Sequence, residues 1–155
     1  MTDATDTTSD TDATPVAYMV GDTLTATVRI AAPPEVVFPY FTDAELMVAW
    51  IGEHADLDAR PGGTFRLRFD SSNAVRGTYL VIEPPHRVMF TWGRPGDPEL
   101  PEGSTTVEVL LTADGEDTIV ELFHRDLPPV QRERHLEGWG LFVGGMAAVV
   151  AGRSA

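Results

Sequence analysis

The feature that most constrains the fold is a pair of apolar segments in the middle of the chain, residues 77–92. Both segments are rich in β-branched and aromatic residues, and they flank a proline pair, residues 84–85. Proline lacks the N–H that a central strand contributes to a sheet, so the pair must mark a turn. The pattern therefore predicts a β-hairpin. Tyr79, Phe90 and Trp92 could share one of its faces, which a helix, a ligand or both must then cover.

Alternation of apolar and polar residues predicts further strands on both sides of this hairpin. They lie at residues 24–30, 55–59, 64–69, 107–111 and 119–124. Between the first two, Pro34 is suited to begin one short helix, and Thr42 or Asp43 to cap a second.

The last part of the chain, residues 130–151, lacks proline and predicts one long helix. Several of its glycines each cost a helix about 1 kcal/mol relative to alanine, so packing must stabilise it. These glycines either leave space beside the helix or allow a close approach to the sheet. An apolar stripe recurs at a spacing of three or four residues, formed by His135, Trp139, Phe142, Met146 and Val149.

The order of elements predicts an α+β fold. A curved antiparallel sheet of about six to seven strands wraps around the long C-terminal helix, and two short helices follow the first strand. A lipocalin-type barrel is the structural alternative, but it lacks that helical pair.

Composition limits the classes of function. The formal charge is −13 and all 11 basic residues are arginine, so an acidic surface would repel phosphate backbones and nucleic acid is not an expected partner. The absence of lysine fits either genome bias or adaptation to salt. No cysteine is present, which excludes disulfides, thiol nucleophiles and thiolate metal sites.

Residues 1–15 are acidic and polar and predict a disordered tail, followed by a single domain at 16–155. The amino terminus lacks the basic start and apolar stretch of a secretory signal. The longest apolar segment is shorter than the roughly 20 residues that span a bilayer. We therefore expect a cytoplasmic protein with no membrane span.

Four segments together resemble a known family: the helical pair ending at Trp50, the turn at 61–63 followed by 65–67, the central hairpin, and the pair Gly138-Trp139. They resemble homologues of the heat-shock-protein-90 ATPase activator (AHSA-type), within the START-like or SRPBCC superfamily. The resemblance implies a helix-grip fold with an apolar cavity between sheet and long helix. Relatives bind lipids, steroids or polyketides, a few are enzymes, and the namesake assists a chaperone, so no reaction is implied.

The candidate ligand-binding residues are those expected to face this cavity. An ordinary packed core would give the same pattern of aromatic residues. The candidates are Trp50, Phe65, Tyr79, Phe90, Trp92, His124, His135, Trp139, Phe142 and Met146.

Two of these candidates, His124 and His135, carry titratable groups. Inward imidazoles could orient a ligand carbonyl or transfer a proton, but a hydrogen-bonded pair at the rim is the favoured interpretation. Two histidines without a placed carboxylate are too few for a metal site, and no motif for a cofactor appears. Arg66, Arg68, Glu108 and Glu121 are expected on the solvated convex face, and the loop at 93–103 as a lid or a plain connection.

Three functions remain in competition. The leading hypothesis is a START-like module that binds a small apolar ligand of lipid, steroid or aromatic polyketide type, with no committed chemistry. The second is a protein-interaction module, such as a chaperone co-factor or the partner of a regulator. The third, with the least support, is a cyclase-like or hydrolase-like enzyme using His124 or His135 as acid or base and Tyr79 as a donor.

Overall fold

The structure, a computed structural model, describes residues 14–154. Over this range one antiparallel sheet contains β1 (Val16–Val20), β2 (Thr23–Ile30), β3 (His54–Leu57), β4 (Thr64–Asp70), β5 (Asn73–Glu83), β6 (Arg87–Trp92), β7 (Thr105–Asp114) and β8 (Asp117–Arg125). The strands are ordered β1-β2-β8-β7-β6-β5-β4-β3. Helix α1 (Pro34–Val37), a 3-10 turn (Phe38–Phe41) and α2 (Ala44–Met47) follow β2, and α3 (Pro129–Ser154) ends the described chain.

The predicted α+β helix-grip fold is confirmed, but the sheet has eight strands in the described range rather than six or seven. The additional strand is β1, at one edge of the sheet. Its five residues are all apolar or aromatic: Val16, Tyr18 and Val20 are exposed, while Ala17 and Met19 are half-buried against the core. The strand therefore lacks the apolar–polar alternation by which sequence patterns identify strands. The predicted tail falls outside the described residues, except for positions 14 and 15.

The central hairpin forms as predicted, with β5 and β6 joined at Pro84-Pro85. It begins earlier than expected, at Asn73. Gly77 packs so close to β6 that a Cβ there would lie 1.9 Å from the carbonyl oxygen of Thr91. Glycine is therefore required where the two strands of the hairpin approach each other.

The short helices begin where the sequence predicted. Pro34 occupies the first position of α1. Asp43 precedes α2, and its carboxylate accepts a hydrogen bond from the Leu46 N–H at 3.1 Å. This cap satisfies one of the free N–H groups of the first turn.

Two buried hydrogen bonds attach this helical segment to its surroundings. The Tyr79 hydroxyl of β5 donates to the carbonyl of Phe41 at 2.7 Å. The Trp50 indole N–H donates to the carbonyl of Tyr40 at 3.0 Å. Because these donors lie in the interior, each bond also removes the cost of an unpaired polar group. The helices thereby close one end of the concave face.

Helix α3 packs on β1 and β2. Its buried row consists of Gln131, His135, Trp139, Val143, Met146, Ala147 and Val150. Phe142 and Val149, which were expected in this row, are half-buried at its sides. A Cβ at Gly140 would lie 3.9 Å from Ala17 Cβ, and one at Gly144 would lie 3.3 Å from Pro15 Cγ. These two glycines allow a close approach to the first strand rather than leaving space.

The convex face carries the charges that the sequence assigned to it. Arg66 and Arg68 are exposed on β4. Glu108 accepts hydrogen bonds from Arg87 at 2.6 Å and from Arg125 at 2.9 Å. Over residues 14–154, no helix is long and apolar enough to cross a membrane.

Candidate functional site

An open cleft lies between the amino-terminal half of α3 and the sheet. Its volume is about 210 Å³. Strands β4, β5 and β6, the segment after β6, and α3 all contribute to it. The lining residues are Phe69, Asn73, Trp92, Arg94, Arg134, His135, Gly138, Trp139 and Phe142.

The walls of the cleft are aromatic. Trp92 and Trp139 have ring centroids 5.1 Å apart, and Phe69 and Phe142 are 5.7 Å apart. Phe69 reaches the cleft because it is the third inward residue of β4, beyond the fully buried Phe65. The α3 residues reach it because positions three and four apart share a helix face. Sheet and helix therefore contact each other through both aromatic pairs, which form the walls of the cleft.

Polar side chains surround these walls, and two of them have unsatisfied buried atoms. Asn73 Oδ1 and Arg94 Nε have no hydrogen-bond partner within the described part of the chain. The third such atom is Oε1 of Gln131, one helical turn before His135. Buried polar atoms are normally paired, so their concentration around one cleft marks it as a place where a ligand or solvent completes the bonding.

Beneath the cleft, His124 is fully buried and uses both ring nitrogens. The Trp139 indole N–H donates to its Nδ1 at 3.0 Å, so a neutral His124 carries its proton on Nε2. That atom lies 2.8 Å from the Thr105 hydroxyl oxygen. The Thr105 hydroxyl in turn donates to the Trp92 carbonyl. The arrangement defines the tautomer through its partners.

His135 makes the complementary pair of bonds at the cleft wall. The Trp92 indole N–H donates to its Nε2 at 3.3 Å. Its Nδ1 lies 2.8 Å from the Gln131 carbonyl and is therefore the protonated nitrogen of the neutral ring. The rings of His135 and His124 are 5.2 Å apart. We call the set Trp92, Thr105, His124, His135 and Trp139 the Trp–His network.

The surroundings keep both imidazoles neutral. Burial lowers the pKa of His124 well below its usual value, and the neighbouring His135 lowers it further. Burial also lowers the pKa of His135 more than its bond to the Gln131 carbonyl raises it, and the positive charges of Arg94 and Arg134 add to the lowering. A protonated ring would lose the bond that an indole N–H donates to it. The expected hydrogen-bonded pair of histidines agrees with these contacts. Both His124 and His135 are buried, however, rather than placed at the rim of the cavity.

The structure brings four of the ten candidate residues to this cleft: Trp92, His135, Trp139 and Phe142. The other six are buried elsewhere in the core. Ligand contact by the ten candidate residues remains a prediction. The six residues outside the cleft are Trp50, Phe65, Tyr79, Phe90, His124 and Met146.

Sequence reasoning missed five lining residues: Phe69, Asn73, Arg94, Arg134 and Gly138. The alternation of β4 had already indicated that Phe69 points inward. Arg134 directly precedes His135, but it lies off the apolar stripe. Asn73 and Arg94 were assigned to a turn and a loop, where periodicity gives no direction for a side chain.

The segment between β6 and β7 contributes Arg94 and is fastened at several points. Leu100 is fully buried, and its carbonyl accepts from the Arg94 N–H at 2.7 Å. Gln131 Nε2 approaches Glu99 Oε1 at 3.5 Å, which connects this segment to α3. These contacts describe a packed connection that forms one wall of the cleft.

Within residues 14–154, no group of three or more histidine, aspartate or glutamate side chains is arranged to hold a metal ion. The titratable residue that lines the cleft most deeply is His135, and its nitrogens are already engaged.

Comparisons with known proteins place this geometry in context. A family described as "Activator of Hsp90 ATPase homolog 1-like protein" matches residues 31–151. No curated protein sequence matches the chain at a significant level.

Solved structures share the fold at low identity. Protein MLL2253 from Mesorhizobium loti is 23% identical with a TM-score of 0.73, over 84% of this chain and 98% of that one. CalU16 from Micromonospora echinospora is 23% identical with a TM-score of 0.69, over 90% and 85%. PFC0360w, an HSP90 activator from Plasmodium falciparum, is 25% identical with a TM-score of 0.69, over 84% and 96%.

Proposed function

The chain belongs to the family of Activator of Hsp90 ATPase homolog 1-like proteins, and on this basis we propose that it binds a small aromatic molecule in the cleft between sheet and α3. The observation that carries the proposal is the aromatic lining, formed by Phe69, Trp92, Trp139 and Phe142. Beside it lie buried polar atoms that have no hydrogen-bond partner among the described residues. Ligand sites are typically apolar recesses with a few convergent polar groups.

The volume of the cleft limits the size of the expected ligand. An enclosed cavity of about 150 Å³ holds benzene, whereas sites for drug-sized ligands span roughly 300–1,000 Å³. A cleft of about 210 Å³ suits one or two fused rings. A steroid, a fatty acid or a larger polyketide would fit only with most of its surface outside. We therefore favour a small aromatic ligand, or the aromatic end of a larger one.

The proposal is for binding without committed chemistry. Of the residues suggested for acid–base catalysis, Tyr79 and His124 are fully buried away from the cleft. Burial raises the pKa of the Tyr79 hydroxyl, which already donates to a carbonyl. His135 reaches the cleft, but a general acid or base needs a nitrogen within reach of the substrate, and both of its nitrogens bond to protein.

Filling the cleft tests the proposal. A Cβ at Gly138 would lie 3.9 Å from Phe142, an ordinary contact, so Gly138→Leu can extend into the cleft without a backbone clash. Gly145→Leu is the matched control, because a Cβ there has open space around it. Both substitutions remove a helix glycine and should raise helix stability similarly, by about 1 kcal/mol.

The measurement is thermal melting and tryptophan fluorescence against a panel of one-ring and two-ring aromatic compounds, fatty acids and steroids. We expect an aromatic compound to raise the melting temperature of the unmodified protein and of Gly145→Leu, but not of Gly138→Leu. If no compound binds, or if Gly138→Leu binds as well as Gly145→Leu, the proposal is wrong.

A second function is a protein-interaction role in the cytoplasm, and one surface favours it. The exposed side chains of Val16, Tyr18 and Val20 form an apolar row on edge strand β1. An edge strand of this kind can pair with a segment of another protein. The similarity to an HSP90 activator suggests an Hsp90 chaperone as the first partner to test.

The test is the ATPase rate of an Hsp90 with the unmodified protein and with the triple variant Val16→Thr, Tyr18→Thr, Val20→Thr. Threonine suits a strand, so the fold should persist. Leu141→Thr, at an exposed position of α3, serves as the control. A stimulation that the triple variant loses and the control keeps supports this role, whereas no stimulation or an equal one rejects it.

A further inference from the structure

Two arginines line the cleft, and neither takes part in the ion pairs found within the described residues. Those ion pairs use Arg29, Arg60, Arg76, Arg87 and Arg125. Arg94 and Arg134 line the cleft instead. In a chain with 24 acidic and 11 basic side chains, carboxylates are abundant, so these guanidinium groups are notable for facing an aromatic recess.

The nearest acidic residues in the sequence are directed elsewhere. Asp97 accepts a hydrogen bond from the Glu99 N–H at 2.9 Å. The Glu99 carboxylate approaches Gln131 rather than an arginine. Glu133 and Glu137, on either side of the cleft-lining turn of α3, are exposed and do not line the cleft. Among residues 14–154, no carboxylate pairs with the positive charge at the cleft, so that charge is available to a group that enters it.

The two arginines are placed differently. Arg94 is half-buried, and its Nε is enclosed without a hydrogen-bond partner among residues 14–154. Arg134 is exposed on the first turns of α3 and can reach over the opening. Both are close enough to His135 that their charges influence its titration. One guanidinium thus lies inside the cleft and the other at its edge.

Resting on the function proposed above, we propose that the ligand of the cleft is an aromatic carboxylate whose ring lies between the aromatic walls and whose carboxylate binds Arg94 and Arg134. A guanidinium presents parallel N–H donors that match the two oxygens of a carboxylate. The side-chain amide of Asn73 offers one further hydrogen bond beside it.

The surroundings make this recognition stronger than a surface ion pair. Aromatic walls and an occupying ring exclude water, so the attraction between charges is less screened. The neutral state of His135 means that it adds no charge of its own. The acceptor nitrogen of His135 is bonded to Trp92 and does not compete for the ligand.

The experiment compares two probes of nearly the same shape, 2-naphthoate and its neutral isostere 2-naphthamide. Dissociation constants are measured by calorimetry at low and high salt. We expect the carboxylate to bind at least about tenfold more tightly, since a charge-assisted bond is stronger than a neutral one. The preference should diminish as salt is added.

Substitutions identify the groups responsible. Arg94→Gln and Arg134→Gln should each remove most of the preference for 2-naphthoate while leaving 2-naphthamide binding within about twofold. Arg94→Lys keeps the positive charge but cannot donate two parallel hydrogen bonds to a carboxylate. It should therefore retain only part of the preference for 2-naphthoate over 2-naphthamide. Arg153→Gln, exposed near the end of the same helix, removes an equal charge outside the cleft and should change neither constant. Melting curves confirm that each variant is folded.

The outcomes separate the two proposals. If both probes bind equally, or if the preference survives Arg94→Gln combined with Arg134→Gln, the carboxylate assignment is wrong and the cleft remains a binding site. If neither probe binds and the wider aromatic panel also fails, the proposed function is rejected together with this inference.

Discussion

The space between the sheet and the helices has two ends built from the same kinds of residue. The closed end contains Phe41, Trp50, Phe65, Tyr79 and Phe90, all buried. The open end contains Phe69, Trp92, Trp139 and Phe142, with Asn73 and Arg94 beside them. An aromatic residue therefore does not by itself distinguish a core from a binding site.

What separates the two ends is the bonding of their polar atoms. At the closed end the Tyr79 hydroxyl and the Trp50 indole each have a backbone acceptor. At the open end Asn73 Oδ1 and Arg94 Nε have none in the described residues. Unpaired buried polar atoms are costly in a core, whereas a binding site can use them. Three differences in stability between the two ends are therefore expected.

Removing an aromatic ring should cost far more at the closed end. Phe65 is fully buried and stacks on Phe90 with centroids 4.1 Å apart. Phe65→Ala should lower the free energy of unfolding by about 3–5 kcal/mol, because it leaves a cavity. Phe142→Ala, at the half-buried wall of the cleft, should cost less than about 2 kcal/mol. Urea denaturation measures both, and equal losses would show that the two ends are one core.

Acidification should destabilise the protein through the Trp–His network. The folded-state pKa values of His124 and His135 are lowered, while an unfolded histidine titrates near 6.5. Below about pH 6.5 the unfolded chain therefore binds more protons than the folded one. The stability that the neutral rings contribute is complete above that pH and is lost as pH falls, at up to about 1.4 kcal/mol per pH unit for each histidine.

Urea denaturation at a series of pH values between about 7.5 and 5 tests this linkage. His135→Gln, which keeps polar atoms but cannot titrate, should reduce the slope of stability against pH in that range. His54→Gln, at an exposed position of β3, is the control and should leave the slope unchanged. A slope insensitive to His135→Gln would contradict a neutral, buried imidazole at the open end.

The smallest expected difference in stability between the two ends concerns the removal of single polar groups. Tyr79→Phe leaves the Phe41 carbonyl without its donor and should cost about 1–2 kcal/mol. Asn73→Ala removes an oxygen that has no described partner, so the free energy of unfolding should change by less than about 0.5 kcal/mol. The two variants are compared by thermal and urea denaturation in the absence of ligand. A large loss in Asn73→Ala would mean that Asn73 is a structural residue.

The closed end was largely predictable from the sequence. The proline pair, the inward alternation of Phe65 and Leu67, and the cap at Asp43 are local signals, and each agrees with the structure. Strand β1 was not predicted because its five residues are apolar or aromatic on both sides, so it lacks the alternation of apolar and polar residues that identified the other strands. Pairing with β2 stabilises it, and that contact is not visible in five residues alone.

The open end was predictable only in part. Periodicity on α3 identified His135, Trp139 and Phe142. It could not identify Arg94, because the direction of a side chain in an irregular segment depends on how that segment folds back, here through the buried Leu100. The bonds between the indoles and the imidazoles likewise join residues 15 and 43 positions apart in the sequence. Such geometry arises from tertiary packing and has no local signature.

The close contact of α3 with the first strand determines how the cleft could change width. At Gly140 the helix faces Ala17, and at Gly144 it lies so close to Pro15 that an added Cβ would come within 3.3 Å of the proline ring. Because this contact fixes the middle of α3 against the first strand, the helix can widen the cleft by tilting about the contact. Such a tilt moves the amino-terminal turns away from the sheet, to which the Trp92–His135 and Trp139–His124 hydrogen bonds hold them. Any such opening must therefore stretch or break both of these bonds.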